Sequence, residues 1–74
     1  MDRFFMQRAS AVAYLMDRRQ RSLEQIEAMH DADRESARGE LDLLDRLILD
    51  VRAARVDMFQ FSHPQAVAIY VSED

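Results

Sequence analysis

From Phe5 onward the apolar residues recur at three- and four-residue steps: Phe5, Ala9, Val12 and Met16, then Leu23, Ile26 and Met29. That is the period of a helix with one buried side. Residues 17–22 carry no apolar side chain, yet none of them is Gly or Pro, so the backbone can continue helically through them. Ser22 and Gln25 have the spacing of a capping box, which would instead start a new helix there. The pattern favours one helix over residues 2–30.

A second stripe is more regular. Ala37, Leu41, Leu44, Ile48, Val51, Arg55 and Met58 alternate four- and three-residue steps, a heptad-like seam, and Leu47 and Ala54 widen it to a core-facing width. This predicts helix two over about residues 34–60, with the chain reversal at about 31–36. Asp31, Asp33 and Ser36 are all competent N-caps there, and Gly39 is an alternative terminator of helix one. Pro64 forbids further helix and favours an extended His63.

Residues 65–72 then alternate as a strand does, with Val67, Ile69 and Val71 on one side and Ala66, Ala68 and Tyr70 on the other. A lone strand is unstable. This one is expected to pair with its copy in a dimer or with a partner's sheet edge, or else to lie across the end of the hairpin. The segment echoes residues 10–16, which leaves a minor reading in which those two stretches pair. The expectation is an all-α chain: an antiparallel two-helix hairpin with a short C-terminal extended or β segment (about 65–72), one domain over residues 1–74, dimeric.

Composition sharpens this. With 74 residues, one Gly, one Pro and no Cys, the chain has few sharp turns and neither a disulfide nor a thiolate zinc site to staple a marginal core. Association with a second chain is the remaining support. All ten basic residues are Arg, a usage better ascribed to codon composition than to chemistry. No apolar run reaches the roughly 20 residues of a membrane span, and the N-terminus lacks a signal-peptide pattern, so a cytoplasmic protein without membrane contact is expected.

The net charge of −4 is unevenly spread. Residues 1–30 carry five Arg against Asp2, Asp17, Glu24 and Glu27, for +1; residues 31–74 carry five Arg against ten carboxylates, for −5. Only Arg18, Arg19 and Arg21 cluster, which disfavours nucleic-acid binding. Asp42, Asp45, Asp50 and Asp57 permit a reading as an acidic nucleic-acid mimic.

No chemistry-bearing motif is present. His30, Asp31 and Asp33 are close in sequence but read as solvated turn residues, and there is no phosphate loop, nucleophile elbow or Cys nucleophile. No enzyme activity, metal or cofactor is expected. Phe4, Phe5, Ala9, Val12, Tyr14, Leu15 and Met16 cover more than one side of helix one, and Phe59 and Phe61 would return to the same end of the hairpin. These nine residues are the candidate partner-binding set, because so small a chain is expected to leave part of them unshielded.

The functional expectation is a protein–protein interaction module, a regulator or inhibitor of phage-encoded or accessory type that binds a bacterial target protein. In size and arrangement the chain also resembles the helical-hairpin co-chaperones of type III secretion, which would imply a role in covering an aggregation-prone partner helix.

Overall fold

The computed structural model describes residues 1–63 and 65–72; Pro64 and the polar tail of Glu73 and Asp74 lie outside the described residues. Five elements follow in order: β1 (Asp2–Gln7), α1 (Arg8–Glu27), α2 (Asp31–Arg52), β2 (Met58–Phe61) and β3 (Val67–Ser72). The sheet order is β1-β3-β2, with β1 parallel and β2 antiparallel to β3. The two helices pack together, but the all-α expectation is overturned by this three-stranded sheet. The alternation at 67–72 is a true strand, and it pairs within its own chain, with residues 2–7 and 58–61 instead of 10–16.

Helix one therefore starts at Arg8, not at residue 2. The run Phe4-Phe5-Met6 is compatible with either period, and the chance to join β3 decides it. In register, Phe4 lies beside Ile69 and Met6 beside Val71, while Phe59 and Phe61 flank Ile69 and Val67 from the other side. These residues point to the helices. Ile69, Val71 and Phe59 join Ala11, Leu15, Leu44, Ile48 and Val51 in one buried cluster. With a least Cα dimension of 15 Å, the molecule has two layers, helices over one face of a sheet.

Helix two ends at Arg52 and not near residue 60. Ala53 is the C-cap, and Ala54 adopts a left-handed φ of 60°. The Ala54 N–H donates to Val51 O (3.1 Å) and the Arg55 N–H to Asp50 O (2.8 Å), the paired bonds of a Schellman motif. Gly usually occupies that position, so an Ala there hides the stop from a reader of sequence. The one glycine, Gly39, is a mid-helix residue with open space around its missing Cβ, not the end of helix one. The reversal lies at residues 28–30, with His30 as N-cap, and Asp31 and Asp33 fill the first turn of α2, where their charge suits the helix dipole.

Each helix also closes the other's C-terminus. The Arg8 guanidinium donates to Val51 O at 2.6 Å, and Arg34 donates to Ile26 O and Glu27 O at 3.2 Å each. These carbonyls belong to the last turns of α2 and α1, where backbone acceptors lack intrahelical partners and a cation is favoured.

Three consequences are measurable by urea unfolding. Gly39→Ala should raise stability by about 1 kcal/mol, and Ala54→Gly should raise it by about 0.5–1 kcal/mol by relieving the left-handed alanine. Ile69→Ala, at the fully buried centre of β3, should cost about 2–5 kcal/mol.

Candidate interaction surface

The sheet has two unlike faces. One packs under the helices. On the other, Phe5 and Tyr70 are register partners on neighbouring strands, stacked with centroids 5.0 Å apart and planes 19° apart. Met58 completes that row on β2, and Arg3, Ala68 and Gln60 form the next. No helix or strand packs on this face among the described residues; Ala68, between Arg3 and Gln60, is nonetheless 1% exposed, while Phe5 is 77% exposed. β1 is also the end strand of the sheet, so no strand among the described residues pairs with its outer backbone edge.

A second surface lies beyond the distal end of the sheet. A 20-residue and a 22-residue helix rise about 30 Å, further than strands of four and six residues can underlie. Under the overhang is a groove of about 410 Å³, floored by Ile26, Leu41, Leu44 and Phe61 and bordered by Arg18, Glu40 and His63. The Arg18 guanidinium sits 3.7 Å from the Phe61 ring centroid, a cation–π contact, and donates to the His63 carbonyl. It therefore fixes the corner where the sheet meets the groove.

The nine sequence-predicted residues divide between core and surface. Leu15 is fully buried and Phe59 nearly so. Val12, Tyr14 and Phe61 are half-buried against the core, with Tyr14 centred 6.4 Å from both phenylalanine rings. Phe4, Phe5, Ala9 and Met16 are exposed. The aromatic end thus splits: Phe59 and Phe61 join Tyr14, whereas Phe4 and Phe5 lie on the far edge of the sheet, with β3 between.

Leu43 and Leu49, 65% and 57% exposed, are apolar surface residues missing from the predicted set. They lie off the α2 seam, and that is the signal by which they were findable. Tyr70 was findable too, as the polar-side member of an alternating strand.

Among the described residues no charged residue is fully buried. Arg19 bonds Asp45 at 2.5 Å across the helix pair, and Arg55 bonds Asp50 at 2.9 Å. Two of the four carboxylates in the suggested acidic track are thereby partly neutralised. No group of three His, Cys, Asp or Glu side chains converges among the described residues.

The family description "Uncharacterized protein BTH_I2711-like" matches residues 2–71. The chain belongs to that family. No curated protein and no solved structure matches it. The matched range runs from the first residue of β1 to within one residue of the end of β3, so the match spans all five elements apart from Ser72. No helix among the described residues is long and apolar enough to cross a membrane.

The division between core and surface can be checked by chemical denaturation. Phe59→Ala should cost about 3–5 kcal/mol. Phe5→Ala, losing little beyond one stacked pair, should cost at most about 1.5 kcal/mol.

Proposed function

We propose that this chain is a non-enzymatic binding module that regulates or inhibits another protein, and that it self-associates. The observation that carries the reading is the uncovered apolar surface: Met1, Phe4, Phe5, Met16, Leu43 and Leu49 are large apolar side chains 46–77% exposed on a 74-residue chain. These side chains lie in separate patches on the strand and the two helices, and so much exposed apolar area on so small a chain favours cover by another molecule. Within this reading, the overhang groove takes an amphipathic helix of the target, its apolar anchors on Ile26, Leu41, Leu44 and Phe61 and its polar residues against Arg18, Glu40 and His63. A cytoplasmic bacterial or phage setting is part of the same proposal, as is the absence of cofactor, membrane or nucleic acid from its action. The alternative of a type III secretion-like co-chaperone rested on an all-helical hairpin, and the sheet removes that architectural support.

A photo-crosslinking residue at Leu43, on the border of the groove, should capture one discrete host protein in cells. The purified pair should then lose affinity at least about tenfold, or 1.4 kcal/mol, when Leu43 becomes Glu, with the melting temperature of the module unchanged. Unaltered affinity in that variant would remove the groove from the proposal.

A further inference from the structure

We infer that the free edge of β1 pairs antiparallel with β1 of a second copy, centred on Phe5, so that two three-stranded sheets become one of six strands. The inference rests on the self-association in the preceding reading and gives it a surface and a register.

The backbone geometry defines which groups are available. The Asp2 N–H donates to Ala66 O at 3.1 Å while Asp2 is in register with Val67. In a parallel ladder such a residue turns both its N–H and its C=O toward its neighbour. Asp2, Phe4 and Met6 therefore bond β3, and the Met6 carbonyl accordingly accepts from the Ser72 hydroxyl. Arg3, Phe5 and Gln7 present their N–H and C=O groups outward. An antiparallel partner must place these outward residues opposite one another, which permits few two-fold registers. Centring on Arg3 sets like charges face to face, which is destabilising. Centring on Phe4 bonds only Arg3 with the partner's Phe5 and the reverse. Centring on Phe5 bonds Phe5 with the partner's Phe5, and Arg3 with the partner's Gln7 at both ends, so every outward group of the strand is used. On the helix side it sets Phe4 beside the partner's Met6. On the open face it continues the Phe5–Tyr70 stack into a row of four rings.

A second copy is favoured over other occupants for three reasons. The edge is weakly protected: residues 2–7 contain no Pro, Gly or Lys, and their charges are confined to Asp2 and Arg3 at one end. Net repulsion between copies is least here, because residues 1–30 sum to +1 while 31–74 sum to −5. A two-fold contact of one edge with itself also closes, whereas β1 pairing with the β2 edge of another copy would propagate into a filament. The exposed parts of Phe4 and Phe5 from both chains, with the paired backbones, give an interface on the order of 500–1,000 Å², the size of a weak, reversible contact.

The chain is free of Cys, so single cysteines report proximity cleanly. Hydrogen-bonded antiparallel partners lie about 5.5 Å apart at Cα, within disulfide reach. Sedimentation equilibrium of the full chain should give a dimer. Phe5→Cys should oxidise to a covalent dimer at least about tenfold faster than Phe4→Cys or Met16→Cys, whose partners in this register lie beyond that reach. Phe5→Lys and Phe5→Glu should each sediment as folded monomers by circular dichroism, and an equimolar mixture should restore the dimer. A monomer would overturn both the pairing and the self-association, whereas a polydisperse series of larger species would keep the self-association and discard the closed β1 pairing. A dimer whose fastest cross-link is at Met16 would keep the self-association and discard the β1 edge. One whose fastest cross-link is at Phe4 would discard the register. If both charged variants unfold, the cysteine rates alone decide.

Discussion

The parallel pairing of residues 2–7 with 67–72 is the contact on which the remainder of the structure depends. It makes β3 the middle strand, with β2 on its other side, and the central Ile69 is fully buried beneath the helices. Without it, β1 would have nothing to bond, because β2 and β1 do not touch. The partners are separated by most of the chain, so a long loop must be closed before any of this contact is gained. The helical hairpin makes that closure feasible. It turns the intervening segment back on itself, and Arg8 and Arg34 secure it at opposite ends by bonding the C-terminal carbonyls of the other helix.

Much of this was legible in the sequence where periodicity was long. The seam through Leu44, Ile48 and Val51 is the buried side of α2, and the alternation of Val67, Ile69 and Val71 is the buried side of β3. Legibility failed at the ends. A six-residue strand that begins with charged Asp2 and Arg3 and continues Phe-Phe-Met has no alternation to declare it. It merged with the helical stripe that starts immediately after it, and only its distant partner distinguishes the two. Likewise, α2 stops at an alanine in a glycine conformation, so the apolar seam continued on paper through Met58, which in the fold opens β2.

The same error shaped the functional residues. Crediting Phe4 to Met16 to one helix predicted one large apolar face. In the fold that stretch is divided at Gln7 and Arg8 between a strand and a helix, and its side chains go three ways: Leu15 into the core, Phe5 onto the open side of the sheet, and Met16 onto the helix layer. The excess of apolar surface survives this redistribution, but as separate patches with different geometry. A groove beneath overhanging helices suits a side chain or helix. A strand edge with outward amides suits only another strand.

Because the central strand follows every other element in the chain, the sheet has no middle until β3 has left the ribosome. During translation the hairpin can form first, since its contacts are local, but its Leu15, Ile48 and Val51 side must wait without a floor. For that interval the nascent molecule offers a bare apolar slab to whatever is nearby, and its safety in the cell depends on how quickly its last strand slides into the gap.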